Sequence, residues 1–351
     1  MYLAEKWRNR DVPSDMLFDI YDGNVWKDFT KSERASPNDH FVLLMLNIDW
    51  FEPFHDANYS CGAIYLTINN LPRSERFKKE NVILVGVMPG PSASHITELN
   101  NYLAPLVDEL MVLYDQGIQV INPATRSSIL VKAALIMVAC DMPAARKMCG
   151  FTLPMSRRGC YKCDRTFVVD SNTNRVNFSG GYDMENYQWK STNDVRTHAV
   201  EWMTATSNRN CLEIERNYGT HWSELHRLLY FDPVRFTIID AMHNLLLGMP
   251  KKMFNNWIDD GDLTREDLRL MKWNTEGLVL PVDFDVISPD RIAAGLSGLK
   301  AAEWKSWVLI YSPFLLQDRL TTKKFQHWMK LVNACRILLK LSVIFNEINN
   351  I

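Results

Sequence analysis

At 351 residues, with 47% hydrophobic and 23% charged side chains and a formal net charge of −2, the sequence has the makeup of a soluble globular protein of one large domain or two ordinary ones. A strongly basic overall balance is excluded, so any grip on nucleic acid has to come from local clusters such as RSERFKK (73–79) and MSRRG (155–159), each of which reads equally as a solvated face. No run of about 18 apolar residues occurs, so no membrane partner is expected, and seven sparse cysteines without a signal peptide read as reduced and intracellular.

Residues 1–40 are polar with scattered aromatics and read as a lead-in segment. HFVLLMLNIDWF (40–51) is a continuous apolar run ending near an aspartate, the pattern of a strand buried on both faces. CGAIYLTINNL (61–71) alternates and precedes Pro72, and NVILVGVMPG (81–90) is stopped by Pro-Gly; both read as strands. Over 92–118, Leu99, Leu103, Leu106, Leu110 and Leu113 recur at three- and four-residue steps, predicting an amphipathic helix with a kink or break at Pro105 and an end near Gly117. SSILVKAALIMVACD (127–141) is a fourth apolar run with an acidic stop and reads as a strand for at least part of its length. Residues 142–165 predict a loop and short helix, and 166–200 are polar. From about 193 to the end the pattern is mostly helical, rich in Trp and Leu. The eleven tryptophans point to a well-filled interior, and the helical pattern running into VIFNEINNI reads as a fragment of a longer chain.

The resulting order, β-β-β-α-β, describes three hairpin-connected strands and a helical crossover to a strand that can lie parallel beside the first. That topology brings Asp49 and Asp141 to one edge of the sheet. Two hard oxygen ligands there can hold Mg²⁺; from pattern alone they are equally ordinary strand-end turn residues. Cys160 and Cys163, in RRGCYKCD, supply half of a tetrahedral Zn²⁺ shell. No second CxxC exists, so the other ligands must come from His198, Cys211, His221, His226, His243 or Asp240. His221 and His226 are five apart, an awkward spacing on a helix, whereas Asp240 and His243 share a helix face.

NIDWFEPF (47–54), VMPGP with LNNYLAPLVDEL (87–110), GCYKC (159–163), HWSELHRLLYFDPVRFTIIDAMHNLLLGM (221–249) and LKAAEWKSWVLIYSP (299–313), in that order, resemble the transposases of CACTA-type (En/Spm-like) DNA transposons, the Tnp2-like group, especially fungal members. The resemblance implies an α/β fold: a ribonuclease-H-like mixed sheet over 41–165, a mostly helical insertion over 166–295 carrying the zinc-type site, and C-terminal helices over 296–351 completing the core. It implies cut-and-paste DDE/D chemistry, in which three acids hold two Mg²⁺ (or Mn²⁺) ions. Asp49 and Asp141 are then the first two acids. The third is Glu303, on a predicted helix after the insertion, with Asp240 as its rival and Glu347 behind them. His243, in a block that matches the family, becomes the third zinc ligand, with His198 or Asp240 as the fourth; the zinc is structural and pins the insertion to the sheet. The implied partners are DNA, as transposon ends and target, and further copies of the chain. No small-molecule substrate is implied, and the implied location is the nucleus. A decayed transposase that binds without cutting, and a ribonuclease-H-like nuclease that cuts without joining, are the competing readings.

Overall fold

A computed structural model describes residues 2–31, 40–54, 56, 59–90, 96–122, 126–153, 155–173, 175–177 and 188–348. Its contacts form two compact units: Met1–Asp11 with Ile20–Ile239, and Val12–Asp19 with Asp240–Ile351. The main division falls at 239/240. The reason lies in packing: Leu225, Leu228, Tyr230, Phe231, Val234 and Phe236 belong to the same buried cluster as the strands.

The first unit holds a five-stranded mixed sheet. Its strands are β1 (His40–Phe51), β2 (Cys61–Ile68), β3 (Val82–Met88), β4 (Ile118–Ile121) and β5 (Ser128–Val138). The spatial order is β3-β2-β1-β5-β4; β1 runs parallel to β5, and the other pairings are antiparallel. The expected β-β-β-α-β order is present, with β4 as an added edge strand. The β1–β5 register slips by one residue between Leu44 and Met45, so that Ile136 is the extra residue of a bulge. Leu43 and Leu44, on opposite faces of β1, are both buried, as in a strand covered on both sides. Leu135 donates its N–H to the Tyr230 hydroxyl at 3.2 Å, and that ring stacks on Tyr114 with centroids 4.0 Å apart.

Helix α1 (Asn24–Lys31) buries Trp26 and Phe29. Helix α2 (Ile96–Asp115) buries Leu99, Leu103, Leu106, Val107 and Leu110, the stripe anticipated from spacing; residues 92–95 lie outside the described residues. Pro105 neither breaks nor ends it. Its ring sits on the exposed face, where the carbonyl that loses an N–H partner can be hydrated. Helix α3 (Met142–Cys149) starts at Asp141 and ends at Gly150, whose φ of +77° is the left-handed cap. A Cβ at Gly150 would sit 2.5 Å from His226 Cε1 and 2.6 Å from the His221 carbonyl oxygen, so glycine is required on two grounds. Helices α4 (Thr192–Thr204) and α5 (Asn208–Tyr218) follow, each capped by a serine, Ser191 and Ser207.

Between α5 and the second unit the chain forms only two short helical turns, Glu224–Arg227 and Pro233–Phe236, and is held by side chains. Arg196 donates to the carbonyls of His226, Leu228 and Phe231. Burial, together with the nearby Arg196 and His221, pushes the His226 pKa down to about 3. The folded state therefore keeps His226 neutral while the unfolded chain titrates near 6.5. This stabilisation is complete above about pH 6.5 and is lost as pH falls towards 3, by up to about 1.4 kcal/mol per pH unit. Denaturant unfolding at pH 7 and pH 4.5 checks it: the stability gap between wild type and His226→Asn should shrink on acidification. A gap of constant size refutes the assignment.

The second unit is helical: α6 (Met249–Asp259), α7 (Arg265–Thr275), α8 (Ala301–Ser306) and α9 (Thr322–Leu338) are its main elements. Its core is aromatic, with Phe254, Trp257, Trp304, Trp307, Tyr311 and Trp328 buried together. The Trp328 indole donates to Ser312 Oγ at 2.8 Å. The tryptophan-rich interior expected from composition is present here, although Trp189 and Trp273 are largely exposed.

Candidate functional site

Asp49 and Asp141 meet the geometric expectation of adjoining strand ends. Leu46 and Val138 are the last aligned pair of the parallel β1–β5 ladder, and each aspartate lies three residues further on. Beyond that pair, three further links stitch the two chains. Ala139 donates its N–H to the Leu46 carbonyl at 2.9 Å, the Asn47 amide donates to the Ala139 carbonyl, and the Ile48 N–H is directed at Cys140 Sγ, 3.1 Å away. The Cys140 thiol is buried and senses both carboxylates; burial, and then their charge, push its pKa well up. It stays a neutral thiol between them.

Local sequence explains how Asp141 is held. Asp-Met-Pro places a capping residue before a proline in the first turn, and Asp141 Oδ1 accepts the Ala144 N–H at 2.8 Å. A carboxylate has a second oxygen, so capping and metal ligation are compatible. Asp49 is exposed at the end of β1, opposite Ala63 of β2. These two acids fit a hard divalent cation by donor type and by placement at neighbouring strand ends.

Asp240 and Glu303 belong to the second unit. Asp240 follows a segment in which Thr237 bridges Val138 in parallel and Ile238 donates to the Val138 carbonyl at 3.0 Å. Its Oδ1 accepts the Met242 N–H at 2.8 Å, and its Oδ2 pairs with His243 Nδ1. Glu303 accepts both the Lys300 N–H at 2.8 Å and the Arg291 guanidinium at 2.9 Å, as the N-terminal box of α8. Glu347 is salt-bridged to Lys340, which holds its carboxyl below the usual carboxylate range.

The cysteine pair forms a tight knuckle. Lys162 and Cys163 both point their N–H groups at Cys160 Sγ, at 3.4 and 3.3 Å. The knuckle is anchored by pairing with 188–190: Asp164 donates to the Gln188 carbonyl and Lys190 to that of Lys162. Arg146 reaches it as well, donating to the carbonyls of Thr152 and Gly159. The pair thus fits half of a zinc shell. His198 is occupied locally: its ring stacks on Tyr218 with centroids 3.4 Å apart, and Nδ1 pairs with Glu201 at 2.9 Å. His243 lies in the second unit with its Nδ1 on Asp240, the kind of carboxylate pairing that orients a ligating imidazole. His221 sits between the carbonyls of Phe151 and Trp222, at 3.1 and 2.9 Å. Among the described residues no three His, Cys, Asp or Glu side chains are grouped as a metal shell.

The two basic clusters differ from an open cationic surface. Arg76 is buried, with its guanidinium on the Leu71 carbonyl and over the Tyr21 ring, and Lys78 is paired with Glu75. Arg158 is paired with Asp164, while Arg157 is exposed. The features that pattern reading missed are Asn47, Cys140 and Arg146. The first two sit within two residues of the aspartates, a positional signal, whereas nothing in the sequence around Arg146 marks it.

Among the described residues no helix is long and apolar enough to cross a membrane. The family model described as "Transposase family tnp2" matches residues 15–194, just over half of the chain. No curated protein matches the sequence.

Proposed function

Since this chain belongs to the tnp2 family of transposases, which makes it a DNA-binding, DNA-processing protein in general terms, we propose that it carries the catalytic domain of a CACTA-type enzyme that cuts and rejoins DNA strands. The observation that carries this reading is the stitched meeting of β1 and β5, which holds Asp49 and Asp141 at adjoining strand ends. It supports a ribonuclease-H-like core with these aspartates as two of its three acids. The third acid is assigned by the family resemblance. Glu303 is our first choice and Asp240 the rival; for either, the present partner, Arg291 or His243, has to give way.

In this mechanism Asp49 and Asp141 position two Mg²⁺ (or Mn²⁺) ions, which when bound offset charge on the attacking and leaving oxygens. Water, or a DNA 3′-hydroxyl, is the nucleophile, so no side-chain nucleophile is required. The Ala144 N–H fixes one oxygen of Asp141, and the Asn47 and Cys140 links fix the strand separation, so the two acids are set before DNA arrives. Cys160 and Cys163 would hold a structural Zn²⁺, for which the family resemblance assigns His243, with His198 or Asp240, as the further ligands. The protein would act in the nucleus, as a multimer on paired transposon ends.

The test is a strand-transfer assay with transposon-end DNA and Mg²⁺. Joined products are expected, and elemental analysis should find close to one zinc per chain. Cleavage without joining would reduce the reading to a nuclease; DNA binding without cleavage would overturn the catalytic part. Zinc near zero in freshly purified protein would remove the metal from the Cys160–Cys163 knuckle.

A further inference from the structure

A cavity of about 600 Å³ in the first unit is used by neither the carboxylates nor the cysteines; Asn24, Val25, Met137, Lys162, Trp189 and Arg235 are on its wall. We propose that this cavity seats one unstacked nucleotide of a DNA strand, with its base on Trp189 and its phosphate at Lys162 and Arg235. The inference rests on the DNA-processing reading above.

Size and lining fit a nucleotide, because ligand cavities of some hundreds of cubic ångströms with mostly apolar walls and a few polar groups are the usual form of such seats. Trp189 is 65% exposed, an uncommon state for the largest aromatic side chain, and so presents a stacking face. Val25 and Met137 supply further apolar wall, and the Asn24 amide can donate to and accept from a base edge. Among the described residues on the wall there is one carboxylate, Asp232, whose Oδ1 accepts from the N–H groups of Val234 and Arg235 and from the Thr192 hydroxyl. Lys162, Lys190 and Arg235 outnumber it, so the wall is cationic on balance. Arg235 makes a solvent-exposed pair with Asp28, which a phosphate can replace at little cost. The Lys162 ammonium donates to the Val234 carbonyl and has two further protons to give.

Position also favours a DNA strand. Met137 lies on β5, four residues before Asp141. At about 3.3 Å per extended residue that is roughly 13 Å, within the reach of a few nucleotides at about 3.4 Å each. A strand with its scissile phosphate at the two aspartates can therefore place a nearby base here.

The experiment compares binding of two labelled single strands of equal length to the full chain, with Ca²⁺ replacing Mg²⁺. One strand carries bases throughout; the other carries a central run of abasic sites. Wild type should bind the first about tenfold more tightly, the low end of what stacking one base contributes. Trp189→Ala should erase the difference and Trp189→Phe should restore most of it; circular dichroism confirms that both fold. Equal binding of the two strands by wild type, or a difference that survives Trp189→Ala, overturns the proposal. So does displacement of the strand by a free nucleoside monophosphate at similar concentration, which would assign the cavity to small nucleotides. The cutting reading fails separately, if Asp49→Ala cleaves at the wild-type rate in Mg²⁺.

Discussion

Replacing Asp49 with alanine is expected to lower Mg²⁺-dependent DNA cleavage by at least about a thousandfold while leaving DNA affinity within a fewfold of wild type. A ligand to a catalytic cation contributes several kcal/mol of charge stabilisation in the transition state, and each 1.36 kcal/mol is a factor of ten in rate. Asp49 is exposed near the end of β1, so its loss should scarcely alter stability. Asp141 needs a finer substitution. It caps α3, and Asp141→Ala would remove about 1 kcal/mol of helix stability along with the ligand. Asp141→Asn keeps an oxygen acceptor for the Ala144 N–H but removes the charge. Cleavage should fall as far as in Asp49→Ala, with the unfolding midpoint close to wild type. Matched cleavage rates for Asp49→Ala and wild type would end the assignment. Loss of cleavage in Asp141→Ala but not in Asp141→Asn would show that α3, and not metal ligation, is what Asp141 serves.

Those two aspartates were legible in the sequence because strand ends are local events. A long apolar run followed by an acid needs only short-range pattern to be noticed, and the parallel pairing of the first and last long strands follows from the crossover between them. The helical stripe from Leu99 to Leu110 was legible for the same reason. β4 was not, since Ile118–Ile121 is too short to display alternation and follows directly on a helix end. Of the kink or break expected at Pro105 the helix shows no break, because the effect of the proline depends on which face of α2 it occupies. The division at 239/240 is drawn by Leu225 to Phe236 packing onto the sheet, a contact between distant parts of the chain that local pattern does not display. The cysteine knuckle was legible from the spacing of Cys160 and Cys163, whereas which histidine could join it depends on the fold. His198, taken as a possible ligand, has Tyr218 and Glu201 as its local partners.

Arg146 sits where none of that pattern reading reaches, and it carries the second large expected effect. It is 5% exposed on α3 and ties down two points of the following loop through the carbonyls of Thr152 and Gly159. The guanidinium also lies over the Tyr161 ring, 5.0 Å from its centroid. Burial lowers its pKa, with Tyr161 and Cys160 acting in the opposite direction, yet an arginine in this range remains charged. Arg146→Met keeps the length of the stem and removes the charge. Two buried carbonyls then lose charge-assisted donors, and the cation–ring contact disappears, together about 3 kcal/mol. For a unit of this size that corresponds to a fall in melting temperature of roughly 6–12 °C. Arg146→Lys should recover only part of it, because one ammonium cannot reproduce the planar fork. A second readout ties the residue to the knuckle: Gly159 precedes Cys160, so releasing its carbonyl should speed modification of the Cys160 thiol by a thiol reagent in metal-free protein. If Arg146→Met melts within 2 °C of wild type, a span well below the roughly 6–12 °C expected, and its thiols react no faster, then the loop from Phe151 to Cys160 is held by its own packing and the bridge is dispensable.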